Sequence, residues 1–339
     1  MKNCLDPEMN LASAPAVIHT FERTLVLKAK NYSPDVAIFS PDDKYIITCS
    51  DKPAITIWDV QAGTVYFGPV ELTPEHVAPH DVDFVALSSN GKRMCSGPRN
   101  QYGEGGGDNV INLWDIVTDR EIPAPTPLDG LNDRFTHAAL SNDGMKLVTA
   151  SYDHIRVWDL RDLRTAQSIV GTGAHAGSIY PVTFFADGRN IVSAGQYDKQ
   201  VNIWDSDTVD VTSGPHTAHS DNGEVKSLAL SPDGRKMVMG FESGKVILMD
   251  TKHGKISDPA KQFLGQTGCV TSVTFSPDGS WIASGSLDAK IRVWDTGTGH
   301  STCDPLVGHK SGIRSISISR DGKKIVSNSG ESVLIWTLQ

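Results

Sequence analysis

The hydrophobic positions of this chain fall into short alternating runs rather than long helical stripes. Val270-Thr271-Ser272-Val273-Thr274-Phe275 alternates with period two, as a half-buried strand does. Trp281-Ile282-Ala283-Ser284-Gly285-Ser286 then reads as a buried strand ending in small residues, and Ile291-Arg292-Val293-Trp294-Asp295 as a third strand after a turn at Asp288. A fourth, more variable strand precedes the next cycle. No segment shows a long 3.6-residue period with helix caps.

This order recurs seven times. Between the first and second strands lies a turn of one type: Ser40-Pro41-Asp42-Asp43, Ser88-Ser89-Asn90-Gly91, Ser141-Asn142-Asp143-Gly144, Ala186-Asp187-Gly188, Ser231-Pro232-Asp233-Gly234, Ser276-Pro277-Asp278-Gly279 and Ser319-Arg320-Asp321-Gly322. Asp or Asn caps its own backbone and Gly supplies a positive φ. The third strands end in Trp58-Asp59, Trp114-Asp115, Trp158-Asp159, Trp204-Asp205, Met249-Asp250, Trp294-Asp295 and Trp336-Thr337. The turns step by 43 to 53 residues and the Trp positions by 42 to 56, so two independent markers keep one period.

These motifs resemble WD repeats, over about residues 17–339. The resemblance implies an all-β fold, a seven-bladed β-propeller. The wording of repeat six also resembles repeats in large fungal and bacterial proteins that join propellers to NTPase modules, but no G-x-x-x-x-G-K-[ST] loop occurs in this chain. The last repeat stops after its third strand. The strand Arg23-Thr24-Leu25-Val26-Leu27-Lys28 is expected to pair with Val333-Leu334-Ile335-Trp336 and close the ring, leaving 1–16 as a loose tail.

Composition narrows the function. Hydrophobic residues make up 39%, and 31 Gly with 18 Pro favour many turns. Lys and Arg number 31 against 40 Asp and Glu, a formal charge of −9, which argues against nucleic acid or an anionic membrane as partner. No apolar run approaches the roughly 18 residues of a membrane span. Asp6 and Glu8 stand where a signal peptide would need an apolar core, and the five cysteines, Cys4, Cys49, Cys95, Cys269 and Cys303, are scattered without a CxxC. The expected location is the cytoplasm, or the nucleus.

The resemblance also implies a buried hydrogen-bonded set of His, Ser/Thr, Asp and Trp in each blade. Repeat four supplies His175, Ser193, Asp198 and Trp204. Repeat three has Thr149, Asp153 and Trp158 without the His, repeat six has Gln266 in its place, and repeat seven has His309, Ser327 and Trp336 with Glu331 near the Asp position. Repeat five has Met249 for Trp, so blade five is expected to open first in hydrogen exchange. A hydrolase reading of Ser, His and Asp is disfavoured because the set repeats and no G-x-S-x-G elbow occurs. His216 with His219, and His76 with His80, lack companion metal ligands; no metal or cofactor is expected.

Repeat two carries about eight extra residues around Arg99-Asn100-Gln101-Tyr102-Gly103-Glu104-Gly105-Gly106-Gly107-Asp108, either a plain surface loop or a partner contact anchored by Arg99 and Tyr102. The Pro-rich stretch Ile122 to Pro127 reads as an edge-protecting fourth strand. By resemblance, partners bind on the rim of the central channel, on the face of the Asp turns. The corresponding positions are Tyr152, Tyr197 and Leu287 in the turns and Phe84, Phe135, Tyr180, Lys226 and Arg314 at the strand starts. The leading expectation is a non-catalytic scaffold for other proteins or peptides, a monomeric propeller within a complex. The alternatives are a small-molecule or glycan binder, then an enzyme, at the channel mouth.

Overall fold

The computed structural model describes residues 19–27, 34–50, 54–71, 84–97, 111–116, 126–128, 135–162, 167–217, 222–252 and 255–339. They form seven four-stranded antiparallel sheets, each a blade, with no α-helix among the described residues. The inner strands are Pro34–Phe39, Phe84–Leu87, Phe135–Leu140, Ile179–Phe184, Val225–Leu230, Val270–Phe275 and Ser315–Ile318. Each lies beside the next, and the seventh beside the first, so the ring is closed. The closing strand runs from Phe21 to Leu27, starting two residues earlier than the sequence pattern suggests, and pairs with Val333–Leu338 from Phe21 opposite Leu338 to Leu27 opposite Val333. In blade two, Thr126–Pro127 of the Pro-rich stretch pairs with Asn112 and Leu113. The 1–16 tail, His76, His80, His219 and the loop with Arg99 and Tyr102 lie outside the described residues.

The repeated turn builds the corner between first and second strands. Ser276 Oγ donates to Asp278 Oδ1 at 2.6 Å and accepts from the Trp281 N–H at 3.1 Å, while Gly279 takes φ +70°. Ser141 with Asp143, Ser231 with Asp233 and Ser319 with Asp321 repeat the 2.6 Å bond. Blade one has Asp43 where the others have Gly, at φ +60°. Its carboxylate accepts the backbone N–H groups of Arg320 (2.6 Å) and Asp321 (2.9 Å), so the departure from Gly ties blade one to blade seven.

The core lies between blades. Each boundary holds one apolar cluster, such as Trp281, Ile291, Ile325 and Trp336 between blades six and seven. The cluster between blades seven and one includes Leu27 of the closing strand, with Ala37, Phe39, Trp58 and Val333. In six blades the Trp indole donates to a hydroxyl of the second strand: Trp58 to Thr48, Trp114 to Ser96, Trp158 to Thr149, Trp204 to Ser193, Trp294 to Ser284 and Trp336 to Ser327, at 2.7–3.3 Å. In blade five both partners are apolar: Met249 replaces the indole and Met239 stands at the hydroxyl position, packed in one cluster with Met237, Phe241 and Ile247. A hydrogen bond is missing there, but the two methionines themselves leave no donor orphaned, which limits the cost of the replacement.

Two stability outcomes follow from this architecture. Removing residues 1–30 takes away the closing strand and should lower the melting temperature by about 10 °C, while removing 1–16 should leave it nearly unchanged. Equal melting temperatures for the two truncations would refute the role of that strand. Met249→Trp should destabilise by about 1–3 kcal/mol through an unpaired buried indole N–H and added bulk, and Met239→Ser/Met249→Trp should recover part of the loss in urea titrations.

Candidate functional site

The polar core of blade four runs through four side chains. Trp204 Nε1 donates to Ser193 Oγ at 2.7 Å, and that oxygen lies 2.8 Å from His175 Nε2. His175 Nδ1 lies 3.0 Å from Asp198 Oδ2, which also accepts the Ala176 N–H at 2.9 Å. One proton arrangement satisfies all of them: Ser193 donates to Nε2, and a neutral imidazole donates from Nδ1 to Asp198. Asn202 Nδ2 donates to the same Nε2 at 3.1 Å. Burial holds His175 below the ordinary histidine range, against the opposing pull of Asp198. The Ser–His–Asp distances resemble those of a hydrolase, but Ser193 is 0% exposed and its oxygen is already held by the indole, so no substrate can reach it.

The other blades solve the same problem with different residues. In blade seven His309 Nε2 meets Ser327 Oγ at 2.7 Å, and Nδ1 meets Ser329 Oγ at 2.9 Å, so a serine takes the carboxylate's role. In blade six Gln266 Nε2 donates to Ser284 Oγ at 2.7 Å. Asp288 there pairs with buried Arg292 at 2.9 Å. In blade three Asp153 pairs with its neighbour His154 at 2.7 Å.

The channel on the ring axis has a volume of about 630 Å³. What faces it is decided by a register shift near the start of the inner strand, seen in blades one, three, four, five and six. The residues skipped by the shift include Asp35, Tyr180, Lys226 and Thr271, all of which line the channel. Arg314 joins them from blade seven and forms an ion pair with Asp35. Lys226 Nζ sits 2.6 Å from Glu224. Burial works against the Lys226 charge, but the Glu224 hydrogen bond and charge outweigh it and hold the amine above the ordinary lysine range.

Of the rim positions expected from sequence, the structure brings Tyr180, Lys226 and Arg314 together at the channel. It leaves Tyr152, Tyr197 and Leu287 exposed in their turns, at 63%, 60% and 54%. Phe135 is a correction, 1% exposed and outside the channel lining, while Phe84 lines the channel with most of its ring buried, at 4% exposed. Their rings meet edge-on at 5.7 Å within the cluster between blades two and three, because Phe135 precedes the register shift and so points into the blade boundary. Sequence reasoning passed over Ser227, Ser272 and Ser315. Each lines the channel and accepts a backbone N–H from the next blade, at Val273 (2.9 Å), Ile316 (3.1 Å) and Ala37 (2.9 Å). Their recurrence at the third position of "VKS", "VTS" and "IRS" was the available signal.

The architecture defines a seven-bladed propeller whose blades are held by repeated Trp–hydroxyl bonds. Four segments, 25–59, 167–205, 257–295 and 300–337, match the family model described as WD domain, G-beta repeat; the chain carries WD repeats on this propeller. It is 26% identical over 269 residues to a guanine nucleotide-binding protein subunit beta of Arabidopsis thaliana, covering 74% of this chain and 68% of that protein. It is 27% identical over 258 residues to a serine-threonine kinase receptor-associated protein of Dictyostelium discoideum, covering 76% and 78%. To a target of rapamycin complex subunit, wat1, of Schizosaccharomyces pombe it is 24% identical over 208 residues, covering 60% of this chain and 64% of that protein, under two thirds of its length.

The buried histidines make stability depend on pH. Burial, reinforced by the Arg23 charge, pushes His309 down to about 4 from the 6.5 of an exposed histidine. Between these values the unfolded chain binds a proton that the folded ring excludes, so this contribution is complete above pH 6.5 and is lost as pH falls towards 4. His309→Gln, which imitates Gln266 of blade six, should melt lower than the wild type at pH 7.5 but lose less between pH 6.5 and 4. A melting-temperature series that falls in parallel for the two proteins would rule this out.

Proposed function

We propose that the chain is a non-catalytic scaffold that binds other proteins or peptides on the face carrying the Asp turns, around the channel mouth. WD-repeat relatives of this kind are typically protein-interaction scaffolds, and the three relatives named above are two subunits and a receptor-associated protein. The observation that carries the reading is the exposure of Tyr152, Tyr197 and Leu287. Three large side chains stand out at equivalent turns of blades three, four and six, on the face that also opens to Tyr180, Lys226 and Arg314. Aromatic rings and arginine on rigid turns are the groups that dominate interface energies. A monomeric ring acting within a larger assembly, in the cytoplasm or nucleus, fits this surface. The four described cysteines are free thiols, with buried Cys95 pushed up to about 12.

The purified chain used as bait in its source lysate should retain a protein that is lost with Tyr180→Ala/Tyr197→Ala, while melting shows that the variant is folded. Each hot-spot tyrosine should account for about 2 kcal/mol, a roughly thirtyfold loss per residue. Retention of the same protein by wild type and variant would move the contact off this rim. Capture of nothing would turn the search to small ligands.

A further inference from the structure

The two halves of the channel wall differ in chemistry. Blades five, six and seven present Ser227, Ser272 and Ser315, with Lys226 and Arg314 beside them. Each serine oxygen accepts an N–H of the next blade, and no acceptor for the serine's own proton occurs among the described residues. Lys226 uses one of its three protons on Glu224 and Arg314 one of its five on Asp35, so both retain donors. Blades one, two and four contribute the apolar Val36, Ile38, Phe84 and Val85 with Tyr180, beside the polar Asp35 and Gln196, and blade three adds His137, whose ring meets Tyr180 edge-on at 5.2 Å.

We propose that the channel is a binding site for a small monoanionic carboxylate with an aromatic body, its oxyanion held by the donor wall of blades five to seven and its ring against the apolar wall of blades one to four. The channel volume of about 630 Å³ lies within the roughly 300–1,000 Å³ of ligand pockets. An oxyanion suits a wall whose unspent groups are O–H and N–H donors, two of them on cations. Asp35 pairs with Arg314, Glu224 pairs with Lys226, and the Glu242 carboxylate also acts on Lys226. These three acids outnumber the two cations, so a single oxyanion is held by the unspent hydrogen-bond donors rather than by net positive charge, and polyanions are repelled. This inference shares Tyr180, Lys226 and Arg314 with the partner-binding reading, but that reading also needs Tyr152, Tyr197 and Leu287 outside the channel, so titration of the isolated chain with small ligands tests it separately.

The test is calorimetric titration of the full chain with phenylacetate, phenylacetamide, acetate and pyrophosphate. Phenylacetate should saturate with a Kd of about 1 mM, and the other three should bind at least tenfold more weakly. Arg314→Gln should weaken phenylacetate about tenfold and Arg314→Lys should restore part of the loss. Phenylacetamide binding as well as phenylacetate would overturn the oxyanion half, equal binding of acetate the aromatic half, and equal or tighter binding of pyrophosphate the charge limit. No saturation by phenylacetate up to about 10 mM, or unchanged affinity in a folded Lys226→Met/Arg314→Gln variant, would overturn the site itself.

Discussion

Closure of the ring is the constraint on which the other features depend. A four-stranded blade buries little by itself; its apolar faces are covered only by the blades on either side. The chain joins every pair of neighbouring blades, because the closing strand of blade seven runs on into blade one, so the ring is sealed noncovalently within blade seven and across its contacts with blade one. There the closing strand pairs with Val333–Leu338, and Asn328 Nδ2 donates to the Pro34 carbonyl at 2.8 Å in a buried position. Ser315 and Ser317 accept the N–H groups of Ala37 and Phe39, and Asp43 caps the turn at Arg320 and Asp321. The same boundary that closes the fold brings Arg314 to Asp35 at the channel mouth.

What was legible in the sequence was the chemistry that acts over a few residues. A Ser-x-Asp-Gly turn and a terminal Trp-Asp are local devices, so they mark every blade, and the closing strand followed from counting strands in the last repeat. The direction of side chains at the start of the inner strands was not legible. Phe135 and Tyr180 occupy similar places in their repeats, yet one packs in a blade boundary and the other faces the channel. Both strands carry a one-residue register shift; Phe135 precedes it and Tyr180 lies within it, and period-two alternation cannot locate a shift at a strand's first residues. Asp43 was likewise opaque: its use depends on a turn 277 residues away.

Variation among the blades shows what the fold demands of its polar core. Blade four uses His175 and Asp198, blade seven His309 and Ser329, blade six Gln266, and blade five two methionines. Residue identity changes while the second-strand hydroxyl keeps a side-chain partner in blades four, six and seven, although Gln266 Oε1 is left buried and unpaired. The partner to that hydroxyl is kept because an orphaned buried group costs more than one bond gains.

The buried polar sets also connect stability to display. Asp198 receives the Ala176 N–H, which pins the loop entering blade four to the turn between that blade's second and third strands. The same turn carries Tyr197, whose ring lies so close over Gly177 that a Cβ there would sit 2.9 Å from Cδ2. Gly177, at φ +111°, thus allows the loop and the ring to pack without a clash. The exposed tyrosine is held from below by a network that never touches a partner. A side chain fixed in this way loses little further freedom on association, so the ordering cost is met during folding rather than at the interface. Among the described residues, blade four is where the full His–Ser–Asp–Trp set lies beneath an exposed aromatic turn residue.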